Sequence, residues 1–246
     1  MVIFFIFGLI IGSFLNVVIY RLPRGESIVF PASHCPECGH KLSVLELIPV
    51  VSYIYLQGKC RECGTQISFK YPLVELTTAL LFLINAVFFE EFLVILAGLV
   101  LSSLLLALSF IDIEHQLLPD KLTLSGLAAG IILSFFRPEF SPLTAISGVL
   151  AGGGLLFLIA VVSKGGLGGG DIKLMMMVGS FIGPVQVLMA IFMGALLGLL
   201  ASLPGIISGS LKMKSRLPFG PFLGMASIIM WIIGDRILNI YLSLIF

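Results

Sequence analysis

The sequence predicts an all-helical protein with about eight membrane crossings and one small metal-stapled domain in the cytoplasm. Three observations carry that expectation. Hydrophobic residues make up 59% of the 246 residues and charged residues only 11%, with a mean hydropathy of +1.16. Soluble domains run at about 25% charged and about 45–50% apolar. The polar residues are concentrated in a single sizeable segment, 21–71. All 4 cysteines lie within it, as Cys35-Pro-Glu-Cys38 and Cys60-Arg-Glu-Cys63. A net charge of +1 gives no reason to expect a nucleic-acid partner; the environment implied is the lipid bilayer.

Taken in order, Val2 to Tyr20 is the first span. No positive segment precedes its apolar run, so it does not read as a cleaved signal peptide. Arg21 and Arg24 follow it, which places the N-terminus outside and the next segment in the cytoplasm. The expected divisions are a first transmembrane helix at 1–20, a cytoplasmic four-cysteine domain at 21–71 and a seven-helix membrane domain at 72–246. Within the last, spans are expected at 72–89, 92–111, 121–136, 143–163, 172–184, 186–207 and 218–245. Gly183-Pro184 makes the span before it short. Glu90-Glu91 and 137–141 then fall outside, and the loops near 112–121, 164–173 and 208–217 inside. Of the 14 Lys and Arg residues, all but Arg137 and Arg236 lie on the assigned cytoplasmic side, as the positive-inside rule requires. The runs Gly152-Gly-Gly154 and Gly194-x-x-x-Gly198 are expected to let helices approach closely.

The two cysteine pairs are separated by 21 residues, close to a common two-knuckle zinc spacing. Cys35, Cys38, Cys60 and Cys63 offer four thiolates, a closed tetrahedral set that serves structure. So short a loop cannot hold itself by burial, and a bound zinc would supply folding energy. Disulfides are the alternative, but they rarely persist in a reducing compartment. His34 and His40 flank the set and read as solvated surface residues.

Only four aspartates occur: Asp112, Asp120, Asp171 and Asp235. Asp171 ends the run Gly165-Gly-Leu-Gly-Gly-Gly-Asp171 just before the apolar sequence resumes. An ionisable group beside a span is functional by default, and glycine lets another backbone come close. Gly168 and Gly170 are therefore the candidate substrate-binding positions, although an Asp after glycines also suits a helix N-cap. Asp112 ends an earlier span, and on this topology both carboxylates sit at the cytoplasmic edge. Two carboxylates in a partly dry site cannot both ionise cheaply, so they share a proton, one acting as base toward water and the other as acid. That is the chemistry of aspartic peptide hydrolysis. Asp120, after Pro119, suits a helix N-terminus, and Asp235 is expected to pair or snorkel.

These residues together resemble the type IV prepilin peptidase family, of the GxGD class of membrane aspartic proteases. The match includes Gly12-Ser-Phe-Leu-Asn16 with Tyr20-Arg-Leu-Pro23, both cysteine pairs and Tyr71-Pro-Leu-Val-Glu75. It continues through Asp112, Leu117-Leu-Pro-Asp-Lys-Leu-Thr-Leu124 and Gly168-Gly-Gly-Asp-Ile-Lys-Leu174. The resemblance implies cleavage of type IV prepilins or pseudopilins after a glycine, at the cytoplasmic face of a prokaryotic cell membrane. Asp112 and Asp171 match its two catalytic positions. Many relatives also methylate the new N-terminus with S-adenosylmethionine, an activity linked to the cysteine loop; no nucleotide-binding signature is present here. Glu75 and Gly12 to Asn16 match the pattern without an assigned chemistry. Two rivals remain: a peptidase without methyltransferase activity, and a transporter whose carboxylates bind a cation or relay protons.

Overall fold

The computed structural model describes residues 1–164, 166–207 and 218–245. The expected inner loop 208–217 and Gly165 lie outside the described residues. Among the described residues there are helices and turns but no strands, and the chain divides into two compact units, Met1–Glu90 and Glu91–Phe246. Six helices are long and apolar enough to cross a membrane. This is a multi-pass membrane protein.

The first unit contains α1 (Val2–Arg21), a short α2 (Val51–Tyr55) and α3 (Lys70–Phe88). α1 lies along α3 at van der Waals distance because two residues in the contact lack side chains. A Cβ on Gly8 would stand 2.5 Å from the Ala79 Cα, and one on Gly12 would stand 2.6 Å from the Glu75 Cα. On the other side of α1, Ile3, Ile6, Phe7, Ile10 and Phe14 form an exposed apolar stripe at helical spacing, which suits lipid.

The second unit contains α4 (Phe92–His115), α5 (Asp120–Ser134), α6 (Pro142–Val162), α7 (Gly169–Ile207) and α8 (Gly220–Ile245). At 39 residues α7 is one helical run where two spans, 172–184 and 186–207, were expected. A straight helix of that length would reach about 58 Å, nearly twice the roughly 30 Å hydrocarbon core. The run is not straight. Gly183 adopts φ 81 and ψ 179, a conformation essentially confined to glycine. A Cβ on Gly152 would lie 2.5 Å from the Met175 carbonyl oxygen and 2.8 Å from the Val187 Cγ2. In a straight helix residues so far apart in sequence would be separated by about 18 Å. The chain therefore doubles back at Gly183, and Pro184, with its fixed φ and missing N–H, starts the second arm. Gly148 and Gly179 bring α6 and the first arm into backbone contact, and Gly194 sets the second arm against Leu223 of α8. α5, expected at 121–136, has 15 residues and is shorter than the six helices counted above.

The reversal leaves the carbonyls ending the first arm without a following turn to bond. Arg137, between α5 and α6, supplies the missing donor. Its Nη1 donates to the Phe181 carbonyl at 2.8 Å. Its guanidinium lies 4.2 Å from the Phe140 ring centroid and 5.0 Å from that of Trp231. Burial lowers the pKa to about 10 while the Glu91 charge opposes that, so Arg137 stays charged at neutral pH. At the same end of the unit, Gln186 donates to Asp235 at 2.7 Å, the pairing expected for that aspartate. Replacing Arg137 with Met removes a charged hydrogen bond and strands a carbonyl. It should destabilise the unit by about 2–3 kcal/mol, read as a lowered unfolding midpoint in detergent, with Arg137→Lys falling between. An unchanged midpoint would show that the reversal needs no such cap.

Candidate functional site

Both expected aspartates fall at helix ends in the second unit. Asp112 lies three residues before the end of α4 and is 7% exposed. Asp171 is the third residue of α7 and half-buried. The segment between α4 and α5 determines how they meet. Gln116 takes a left-handed φ of 52, and its N–H bonds the Asp112 carbonyl at 2.9 Å, closing α4. That turns Leu118 toward two glycine backbones at once. A Cβ on Gly170 would be 3.0 Å from the Leu118 Cβ, and one on Gly220 would be 3.3 Å from the Leu118 Cδ2. The starts of α7 and α8 are thus drawn against the same side chain. The Gly220 N–H, at the first residue of α8, donates to the Asp112 Oδ2 at 2.9 Å. A helix N-terminus is well suited to hold a carboxylate. Gly220, bonded to Asp112, and Gly170, next to Asp171, thus share the Leu118 side chain, which sets the two carboxylates in one neighbourhood.

The glycine run separates into distinct environments. Gly168 lies under the Asp171 carboxylate, where a Cβ would be 3.3 Å from Oδ2, and its carbonyl accepts the Asp171 N–H at 3.2 Å. Gly170 is occupied on its open side by Leu118. Gly169 faces open space, with nothing within 4 Å of an added Cβ. Leu118 and Gly220 were not singled out from sequence, because the contacts that define them span distant parts of the chain.

Asp120 stands at the N-terminus of α5 as expected, but it does not cap the helix. Pro119 occupies the cap position, no side-chain cap bond forms, and Asp120 is the first residue of α5. Its carboxylate takes the Lys173 Nζ at 2.7 and 2.8 Å, tying the start of α5 to the first turn of α7.

The four cysteines converge in the first unit. The chain makes the same turn twice: Cys35 N–H bonds the His40 carbonyl and Cys60 N–H that of Thr65, both at 2.9 Å. Gly39 and Gly64 sit at φ 71 and 73, the left-handed residues each turn needs. The sulfurs of Cys35 and Cys63 are 3.9 Å apart, those of Cys38 and Cys60 4.0 Å, and all four lie within 4.8 Å of one another. A tetrahedron with metal–sulfur bonds of about 2.3 Å has edges of about 3.8 Å, whereas a disulfide needs about 2.05 Å. The cluster can hold a metal ion. His40 is part-exposed and has a partner, its Nε2 lying 3.3 Å from the Glu46 carboxylate. Ser43 donates its hydroxyl and its amide to Glu46, and those bonds lower the Glu46 pKa to about 2. His34 remains exposed, against the Ala32 carbonyl.

Comparison with known proteins follows the same two-part division. Residues 6–89 match the bacterial peptidase A24 N-terminal domain, and 99–203 match the type IV leader peptidase family. A prepilin leader peptidase/N-methyltransferase of Bacillus subtilis (strain 168) is 38% identical over 98% of both chains. The chain belongs to the type IV leader peptidase family. Enzymes of that name from Dichelobacter nodosus and Pseudomonas aeruginosa are each 38% identical, over 96% of this chain and 93% and 91% of theirs. No solved structure matches.

The thiol geometry leads to a direct test. Purified protein should carry one divalent metal ion per chain by elemental analysis, and Cys35→Ser with Cys38→Ser should lose it. Metal-free protein whose four thiols are oxidised in situ would contradict the tetrahedral reading.

Proposed function

We propose that this chain is a membrane aspartic endopeptidase that removes the leader of type IV prepilins or pseudopilins after a glycine, then methylates the new N-terminus. The observation that carries the reading is the convergence of Asp112 and Asp171 at helix ends around Leu118, with the Asp112 carboxylate held by the Gly220 amide. Two carboxylates sharing one proton can hydrolyse a peptide. One takes a proton from water as its oxygen attacks the scissile carbonyl, and the other protonates the carbonyl oxygen. The roles then exchange as the tetrahedral species collapses and the amine leaves protonated. Open space at Gly169 gives an extended peptide somewhere to lie, between Gly168 under the Asp171 carboxylate and Gly170 packed on Leu118, the two candidate substrate-binding glycines that would flank it. A transporter site is expected near the bilayer centre, and both carboxylates instead sit at helix termini.

The remaining assignments belong to this reading. Cys35, Cys38, Cys60 and Cys63 would hold zinc, whose role is to supply folding energy to the loop at 21–71. The first helix, that loop and the following helices act as three divisions at 1–20, 21–71 and 72–246. With α5 and both arms of α7 each crossing, the chain passes a prokaryotic cell membrane eight times, with its active site at the cytoplasmic face. S-adenosylmethionine supplies the methyl group.

Each aspartate should be indispensable. Asp112→Asn, Asp171→Asn and the double variant should each lose about 10²–10⁴-fold in prepilin cleavage, and to a similar extent, because groups acting as a unit are non-additive. Asp120→Asn should stay within a few-fold, since its half-exposed ion pair with Lys173 is worth at most about 1 kcal/mol. Cleavage in membranes with expression-matched variants decides this, and an active Asp112→Asn or Asp171→Asn enzyme would falsify the mechanism. Product mass from the wild type separates cleavage alone from cleavage with methylation. In the same membranes, a single cysteine at 139 should label from outside and one at 41 only from inside.

A further inference from the structure

The match to the leader peptidase family lies within the second unit, as do both aspartates. The first unit, matched by a domain model of its own, contains a buried polar cluster that peptide hydrolysis does not use. It forms where Gly12 lets α1 touch α3 at Glu75. Ser13 and Asn16 stand a turn apart on α1, and Tyr71 and Glu75 a turn apart on α3. The Glu75 carboxylate, 8% exposed, accepts the Val50 amide at 2.7 Å, and the Ser13 side chain stands beside it. Asn16, 4% exposed, donates its side-chain amide to the Tyr71 carbonyl at 3.0 Å. Its Oδ1 is fully buried and has no partner. A carboxylate and an unfilled amide oxygen together call for an N–H donor.

The donor now on Glu75 is a strained one. Val50 has φ 62 and ψ −48, and the Val51 N–H bonds back to the Pro49 carbonyl at 2.6 Å. That is a γ-turn of the disfavoured hand, centred on a β-branched residue. Such a conformation persists only where surrounding contacts hold it; here the contact is Glu75. The turn faces outward, with Val50 half-exposed and Val51 59% exposed. An incoming donor can replace the Val50 amide, relax the turn and fill the Asn16 Oδ1 as well. A primary amine has enough N–H bonds to do both.

We propose that Glu75, Asn16 and Ser13 seat the amine that receives the methyl group, the new α-amine of the cleaved substrate, with Glu75 taking its proton. This rests on the methylation reading above. An α-amino group, with a pKa of about 7.7–8.0, is largely an ammonium at neutral pH and has no free electron pair. One proton passes from it to the Glu75 carboxylate, and Asn16 Oδ1 orients a remaining N–H. The freed nitrogen pair attacks the methyl carbon of a sulfonium donor. The N–C bond forms, the C–S bond breaks, and its electron pair stays on sulfur as a neutral thioether. The product is a secondary ammonium, and Glu75 releases its proton to solvent.

The test uses full-length enzyme with prepilin and S-adenosylmethionine, reading cleavage and methyl incorporation from product mass. Glu75→Gln and Asn16→Leu should hold cleavage within about 2-fold while methylation falls about 100-fold or more. A second readout needs no methyl donor. A synthetic peptide with the N-terminus of a cleaved pilin should accelerate hydrogen exchange at the Val50 amide, and its N-acetylated form should not. Methylation at the wild-type rate in both variants overturns the proposal. So does cleavage falling in step with methylation, which marks the cluster as structural, and so does Val50 exchange that ignores the free amine. If Glu75→Gln does not accumulate, Ser13→Ala removes one hydroxyl and allows the same comparison. A wild-type enzyme that cleaves without methylating overturns the underlying reading instead, whatever the variants do.

Discussion

A carboxylate at the centre of a membrane helix costs about 2.5–3.5 kcal/mol on insertion scales, and two that meet must also be held near each other by the packing around them. The second unit satisfies both demands by placing Asp112 near the end of α4 and Asp171 near the start of α7. Helices pack along their middles, so bringing ends together needs dedicated contacts. The left-handed Gln116 aims Leu118 inward, and the bare backbones of Gly170 and Gly220 receive it. The Gly220 amide then bonds Asp112 directly. The geometry around the two carboxylates follows from keeping them at the edge while holding them close.

How much of this could be read in the sequence depends on the range of the interaction responsible. Composition and apolar runs act locally, so the helices at Val2–Arg21, Phe92–His115 and Pro142–Val162 begin and end within a few residues of their expected bounds. The cysteine cluster was readable because thiol chemistry and spacing alone imply convergence. Asp112 and Asp171 stood out because ionisable groups are rare beside spans. The proximity of the two could not be read in the same way, since it depends on Leu118 meeting residues about fifty and a hundred positions further on. Asp120 was readable in part: its local context places it at the start of α5, but the Lys173 that takes its carboxylate is 53 positions away. His40 likewise reads as surface until Glu46 is placed beside it.

The two units use one packing device for different ends. In the second, glycines bring α6 against the first arm of α7 and the second arm against α8, which makes a rigid frame for the aspartates. In the first, Gly8 and Gly12 bring α1 against α3, and the closeness buries Asn16 and Glu75 away from water. Small residues thus build a low-dielectric surrounding for polar groups, where each hydrogen bond counts for more than it would in solvent.

The backbone at Gly183 also fixes the parity of the chain. Each membrane crossing exchanges one compartment for the other, so the side on which α8 begins depends on whether α7 counts as one pass or two. Because the run folds back at that residue, its two ends return to a common side, and α8 can start beside Asp112, as the Gly220 contact requires. A chain that ran straight through position 183 would deliver α8 to the opposite end of the helices, with the Gly220 amide far from the carboxylate it binds. A single dihedral angle thus decides at which end of the helices the last quarter of the chain continues.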